Sequence, residues 1–498
     1  MVYLYVTGVI LLWLHLANSL SRFPKVLLIS MDGLRYDSIS GYTVPNLHRW
    51  ATQNTWFLRG MRPQYMTMTS TNYMGMVTGL HAESHGIVSN AFYDIDKESG
   101  TADFFDYWNY TERPGMNGNA RKRSWYTGEP IWITNERASL ERHSACIQWP
   151  MCDATFPDGW APTYLSSWTK YQDSREWMDD VDEIIKLFTR NMDPANFVAW
   201  YIDEPDRTLH KHGFYDGKYI KILAELDKVF GYLIAQMRRY HLIDEINIIL
   251  AADHGHAQIG GAKNVLCIRE YIDFSRVLTG HNILYPTDQA LFDEVYNNLT
   301  KAVNDNKLKI KIYTKDSFPD YHHFKGHPSR IGDIIIEPEV GYEVDYNCTN
   351  DSMNRALDYG AKRLQSSTHG QHPDNFEMHG ALLLGGPDIG DAQKTKRIAE
   401  VIDLYSLMCF LLDIRPAPNN GSLNRIAKHI HLRGYHPWIW DDDEVTWHHV
   451  NPNISCFSLT IRVYAPLAGI TANNCHNYHN MPYFSVCDSR LDKIKGRL

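Results

Sequence analysis

The chain has 498 residues and a formal net charge of −9, with 44% of residues hydrophobic and 21% charged. These proportions exclude a disordered chain. The acidic balance excludes a nucleic acid duplex as a backbone-bound partner, because phosphate neutralisation needs clustered Lys and Arg. The length suffices for a sizeable core, organised as one large α/β domain or about three smaller ones.

Residues 2–17, VYLYVTGVILLWLHLA, are apolar apart from His15. The run is shorter than the ~20 residues of a membrane span. Ala17 and Ser19 stand as a small-x-small pair, which predicts a signal peptide over 1–19 cleaved after Ser19. The segment lacks a positive side chain before its apolar run, so an uncleaved signal anchor tethering the protein to the membrane is the alternative. Six N-x-S/T sequons, at Asn109, Asn298, Asn347, Asn350, Asn420 and Asn453, agree with export and glycosylation. Export also permits disulfides among the eight cysteines, up to four pairs of unassigned connectivity. No CxxC spacing points to a cysteine zinc site. The apolar stretch 456–472 carries Arg462 and Pro466 and reads as strand or core rather than a span. No stable membrane span is predicted.

From Lys25 the sequence KVLLISMDG is a short apolar run ending in Asp-Gly, the pattern of a buried strand and its following loop. Similar runs are FVAWYIDEPD at 197–206, INIILAADHG at 246–255 and GALLLGGPD at 380–388. Between the second and third, Ile220, Leu223, Leu226, Phe230, Leu233 and Met237 recur at helical spacing. Strand, helix and strand in that order predict a βαβ unit in a mostly parallel sheet flanked by helices. Residues 99–175 show no clear period and read as loops. A small inserted lobe is expected at about 270–365. Residues 423–498 form a C-terminal extension of unassigned structure.

Ligands of parallel sheets collect beyond the carboxyl ends of the strands. Asp32, Asp206 and Asp253 occupy those ends. His254 follows Asp253, His210 lies four residues after Asp206, and His369 precedes the fourth run. Three carboxylates and three imidazoles suit Zn²⁺ or Mn²⁺. Two such ions about 4 Å apart can clamp the oxygens of a phosphoryl displacement. The segment RPQYMTMTSTNYMGMVTGL at 62–80 looks like a loop feeding a helix and offers Thr67, Thr69, Ser70 and Thr71 as hydroxyl nucleophiles. Asn72 is placed to donate a hydrogen bond to a phosphoryl oxygen. Each signal alone has a plainer reading, as a turn or a helix cap. Independent turns have no reason to place Asp and His at every strand end.

Together these residues resemble the ectonucleotide pyrophosphatase/phosphodiesterase family of the alkaline-phosphatase superfamily. The likeness rests on SMDG at 30–33, TMT with Asn72, VTGLHAESHGIVSN at 77–90, EPIWIT at 129–134, EPDRTLH at 204–210, ADHG at 252–255, HG at 369–370 and PAPNNGSL at 416–423. It runs from about Pro24 to about Ser422 and implies an alkaline-phosphatase-like catalytic domain over 24–422. It implies that Asp32, Asp253, His254 and Thr69 surround one zinc and that Asp206, His210 and His369 hold a second. It further implies that Thr69, rather than Thr67, attacks phosphorus to give a phospho-threonine intermediate. His369 is taken over His372 on its spacing to Met378. Ser70 stands where nucleotide-cleaving members carry a base-stacking aromatic. The expected function is a secreted zinc phosphodiesterase/nucleotide pyrophosphatase acting on small extracellular nucleotides. The alternatives are a choline-phosphate phosphodiesterase of the alkaline sphingomyelinase or phospholipase C kind, and a catalytically weak binding protein.

Overall fold

In a computed structural model, the described residues are 20–427 except 97, 108–122, 155–158, 169–172, 347–365 and 391, together with 438–439 and 448–449. The signal segment and the sequons at Asn109, Asn347, Asn350 and Asn453 lie outside them. The chain divides into two units, 1–434 and 435–498. In the second, the described residues form one short antiparallel pair, Trp438–Ile439 with His448–His449.

The first unit is built on an eight-stranded sheet. Its strands are β1 (Lys25–Met31), β2 (Thr55–Phe57), β3 (Ser144–Ile147), β4 (Tyr164–Ser166), β5 (Phe197–Ile202), β6 (Ile246–Ala251), β7 (Leu382–Gly385) and β8 (Gln393–Thr395). Their spatial order is β8-β2-β7-β6-β1-β5-β3-β4. The apolar runs of β1, β5 and β6 are buried at every position because helices cover both faces. Strand β1 pairs in parallel with β5, Val26 opposite Phe197, and with β6, Leu28 opposite Ile249. Alternate residues serve opposite faces. Leu27, Ile29 and Met31 pack in one core with Trp177, Val181, Leu223, Phe230 and Leu233. These belong to helices whose bounds are Ser174–Thr189 and Lys218–Arg239. On the other face, Ser30 meets Tyr73 of helix α1 (Thr69–Thr78), Oγ to OH at 2.8 Å.

The mostly parallel sheet includes one antiparallel strand, and two expectations need correcting. Strand β7 runs antiparallel to both neighbours, with Leu382 opposite Ala251. Its amino end therefore lies at the edge where β6 has its carboxyl end, so a residue preceding β7 reaches the same edge as residues following β1, β5 and β6. The region read as loops supplies helix Ile131–Ala138 and strands β3 and β4, too short for a period to register. On the long helix Ile220 is exposed, and Tyr219 turns inward instead.

A second, four-stranded antiparallel sheet lies within 278–338, in the order Leu278–Gly280, Ile283–Tyr285, Ile334–Pro338, Ile310–Thr314. With helix Gln289–Asn304 it encloses its own core of Leu284, Leu291, Val295, Leu299, Ile334 and Ile336. Buried Arg330 ties this lobe to the main unit. Its guanidinium donates to the carbonyls of Gly86 (2.9 Å), Trp125 (2.6 Å) and Ser124 (3.0 Å) and to Asp94 Oδ2 (2.7 Å). Cys146 and Cys152 form a disulfide, whereas Cys409 is buried and free, so the eight cysteines do not all pair. Among the described residues no helix is long and apolar enough to cross a membrane.

Candidate active site

The site forms where the strand ends meet. Asp32 leaves β1 and its backbone N–H donates to Ile202 O of β5 (2.9 Å); Asp206 N–H in turn donates to Asp32 O (3.0 Å). Gly33 lies between these carboxylates with φ +67°, and a Cβ there would stand 2.9 Å from Asp206 Cβ and 3.0 Å from the His256 ring. The glycine of the MDG motif is thus set by backbone conformation and by close approach. Asp206 opens the short helix Asp206–His212, which places His210 one turn away. Asp253 and His254 leave β6, and Thr69 opens α1.

Around His254 Nε2 stand Asp253 Oδ2 at 3.1 Å, Thr69 Oγ1 at 3.2 Å and Asp32 Oδ1 at 3.6 Å. Each carboxylate is held by its other oxygen. Tyr201 OH donates to Asp32 Oδ2 (2.7 Å) and Gly33 N–H to Asp253 Oδ1 (3.2 Å). Asp32 Oδ1 and Asp253 Oδ2 are buried without a hydrogen-bond donor. Around Asp206 Oδ1 stand three imidazole nitrogens: His256 Nε2 at 2.6 Å, His210 Nε2 at 3.4 Å and His369 Nε2 at 3.7 Å. The His254 and His369 rings stack at 3.7 Å and join the two clusters.

The hydrogen bonds fix the tautomers. His254 Nδ1 faces Gly255 O (3.1 Å) and His369 Nδ1 faces Thr67 O (2.8 Å). A carbonyl only accepts, so both Nδ1 atoms carry the proton and both Nε2 atoms present a lone pair. His256 Nδ1 faces Ser367 Oγ (3.2 Å), and its Nε2 lies 2.6 Å from Asp206 Oδ1, which only accepts, so without a cation that nitrogen carries the proton. Inward lone pairs backed by Nδ1–H bonds are what metal-bound imidazoles require.

The electrostatics ask for a cation. Burial, then the charges of Asp253 and Asp206, pushes the Asp32 carboxyl well above its usual range. Burial also raises Asp253 despite His254 beside it. Burial lowers His256 to about 3 and, helped by His254, holds His369 well below its ordinary value. Burial likewise opposes charge on Asp206, but His210 and His256 together outweigh it and hold that carboxyl low. These imidazoles and carboxylates could hold a metal ion, and Asp206, His254, His256 and His369 offer ligand atoms within 4.8 Å of one another.

The structure separates the candidate hydroxyls. Thr67 Oγ1 is spent on Gln371 O (2.8 Å) and Ser70 Oγ on Ser89 O (3.0 Å), while Thr69 Oγ1 faces the cluster. His372 turns away to His322, Nε2 to Nε2 at 3.0 Å. The expectation for Asn72 is corrected. Its side chain is buried, with Oδ1 accepting from Gln64 N–H (2.7 Å) and Nδ2 donating to Met68 O (3.0 Å) and Met66 O (3.3 Å). Asn72 therefore shapes the loop before α1 and has no donor left for a phosphate. A candidate donor not named from the sequence is Asn90. Its Oδ1 accepts from Ser70 N–H (2.8 Å), and it lines a cavity of about 240 Å³ with His210 and His369. His256 was overlooked too. The signal was present in both cases: ADHG continues to His256, and GIVSN ends in Asn90.

Residues 26–380 match the family of type I phosphodiesterases / nucleotide pyrophosphatases. The chain is 29% identical over 415 residues to the bis(5'-adenosyl)-triphosphatase of Xenopus laevis, spanning 81% of each chain. It is 29% identical over 420 residues to human ectonucleotide pyrophosphatase/phosphodiesterase family member 5, spanning 83% of this chain and 80% of the relative. The structure of the murine family member 5, an inactive threonine-to-alanine variant in complex with AMP, superposes with a TM-score of 0.69 at 28% identity. That match covers 82% of this chain and all of the murine one.

Proposed function

The chain belongs to the type I phosphodiesterase/nucleotide pyrophosphatase family, and from that premise we propose that it is a zinc-dependent enzyme splitting phosphodiester or pyrophosphate bonds of nucleotides through a phospho-threonine intermediate. The observation that carries this reading is the convergence of the Nε2 lone pairs of His254 and His369 and two donorless carboxylate oxygens beside one threonine hydroxyl. Asp32, Asp253, His254 and Thr69 would hold one Zn²⁺. Asp206, His210 and His369 would hold the other, with His256 as an added imidazole. When bound, the two ions would lower the pKa of a hydroxyl and neutralise charge on a phosphoryl group.

Thr69 Oγ attacks phosphorus as its proton passes to solvent; the Oγ–P bond forms and the P–O bond to the leaving alkoxide or phosphate breaks. Water then cleaves the threonine ester and restores the hydroxyl. The α1 amino terminus at Thr69 adds the positive end of a helix dipole. Asn90 Nδ2 donates to a non-bridging oxygen, held for that task by the bond from Ser70 N–H to its Oδ1. The names of the relatives favour nucleotides, and the AMP complex of the murine relative agrees. Nothing in these comparisons favours a choline lipid.

The test is hydrolysis of p-nitrophenyl thymidine monophosphate against p-nitrophenyl phosphorylcholine, each with zinc and with chelator. Zinc-dependent preference for the nucleotide ester is expected. Preference for the choline ester, or turnover unaffected by chelation, would sink the reading. Thr69→Ala should lower kcat by about 10³-fold or more while retaining zinc, since the nucleophile itself is removed. We also propose that the protein is exported with its first 19 residues removed. The exposure of the sequons at Asn298 and Asn420 supports this. N-terminal sequencing of protein from the culture medium would show Leu20 first, and a chain still beginning at residue 1 would refute cleavage.

A further inference from the structure

His281 occupies an unusual position. The lobe strands Leu278–Gly280 and Ile283–Tyr285 are joined by a two-residue turn, His281 and Asn282, closed by the Gly280–Ile283 pair. Of the two, only His281 has positive φ, at +43°. The first place of such a turn favours glycine, and a bulky ring there is held against backbone preference. Such outliers cluster where function over-determines the conformation. The hairpin cannot easily relax, because Gly280 lies so close to the neighbouring Ala91–Ile95 strand that a Cβ on it would stand 2.5 Å from Phe92 Cα.

The ring is anchored from one side. His281 Nδ1 and Ser89 Oγ are 3.1 Å apart. Ser89 precedes Asn90, and Ser89 O accepts from Ser70 Oγ, the residue after Thr69. His281 also lines the cavity shared by His210, His369 and Asn90. Its other nitrogen, Nε2, has no hydrogen-bond partner among the described residues. The wall beside it carries Asn282, Tyr342, Glu343 and Tyr346. A carboxylate on that wall disfavours a further phosphate, whereas phenol rings and amides suit a flat, uncharged, hydrogen-bonding group.

We infer that His281 selects the substrate: its Nε2 hydrogen-bonds the nucleoside part of a nucleotide ester bound in this cavity. This rests on the phosphodiesterase reading above. Burial lowers the His281 pKa to about 4, so at neutral pH it acts as an uncharged partner.

Two variants separate this role from a structural one. His281→Gln keeps a polar group near the Nε2 position and gives up the short reach to Ser89. His281→Asn keeps the reach to Ser89 and gives up Nε2. The measurement is the ratio of kcat/KM for p-nitrophenyl thymidine monophosphate to that for bis(p-nitrophenyl) phosphate, which has no nucleoside. The ratio should fall about five- to tenfold in His281→Asn and His281→Ala, mainly through KM, and recover at least in part in His281→Gln. A ratio kept in His281→Asn, or both esters falling together in every variant, overturns the inference in favour of a hairpin support. If the unaltered protein cleaves neither ester, the phosphodiesterase reading fails on its own. Calorimetric titration with AMP then decides about His281, where equal AMP affinity in His281→Asn and the unaltered protein overturns its role.

Discussion

The edge of the main sheet and the inserted lobe contribute to one cavity by different means. At the sheet edge, Asp32, Asp253 and His254 follow a buried strand within three residues, Asp206 and His210 lie on the short helix after β5, Thr69 opens α1, and His369 comes from the segment leading into antiparallel β7. Their positions follow from strand register, and their freedom is small because β1, β5 and β6 are buried throughout. The lobe has its own core and reaches the cavity through turns and strand ends: His281, Asn282, Pro338, Tyr342 and Tyr346. The rigid sheet holds groups that must keep fixed mutual distances to bind metal and move a phosphoryl group. The lobe holds groups that need only meet a substrate. Changes at the sheet edge should therefore strike kcat and metal content, and changes in the lobe should strike KM and choice of substrate.

The largest expected effect tests the sheet side with a pair of asparagines. Asn90→Ala removes the amide proposed to donate to phosphate and should lower kcat by about 10²–10³-fold with metal retained. Asn72→Ala removes three buried bonds to the loop before α1, so it should lower thermal stability, with activity falling only as that loop loosens. A stable Asn72→Ala protein with a pure kcat loss, beside an unimpaired Asn90→Ala, would reverse the assignment. His256→Ala comes next. If His256 serves the Asp206 cluster, zinc affinity measured by chelator competition should drop about 10- to 100-fold. Unchanged affinity would leave His256 as packing alone.

How much of this was legible beforehand follows the same division. KVLLISMDG, YIDEPD and AADHG announce themselves because a buried strand is a continuous apolar run and its polar successor stands out. Asn90 and Asn72 could not be told apart in this way. Both lie near the nucleophile, and only the folded loop shows that Gln64, Met66 and Met68 consume one of them. His281 gave no signal, since its meaning lies in a positive φ and in proximity to Ser89, 192 residues away in sequence. Strands β3 and β4, of four and three residues, are shorter than any window in which alternation can be counted.

The lobe side has its own test in Arg330. Removing its side chain in Arg330→Ala abandons four contacts between lobe and main unit. The zinc content should stay the same. KM for the nucleotide ester should rise by about tenfold, and limited proteolysis within 278–338 should accelerate as the lobe loses its tether. Equal loss of zinc and of substrate binding would show that the two regions are one cooperative unit and dissolve the contrast.

The smallest effect returns to the sheet. Asp203 follows β5 directly, and burial raises its pKa to about 7, with Arg207 at 3.6 Å offsetting part of the cost. The unfolded chain releases this proton near pH 4. The folded protein therefore holds a proton that the unfolded one has lost, and stability falls as pH rises from about 4 to about 7. The full difference is on the order of 2–4 kcal/mol. The amide introduced by Asp203→Asn imitates the protonated acid at every pH. In metal-free protein, the melting temperature of this variant should match the unaltered protein near pH 4 and exceed it by a few degrees at pH 8. The gap should open across that interval. A gap that is constant with pH would mean that Asp203 is already ionised in the folded state and that Arg207 outweighs burial.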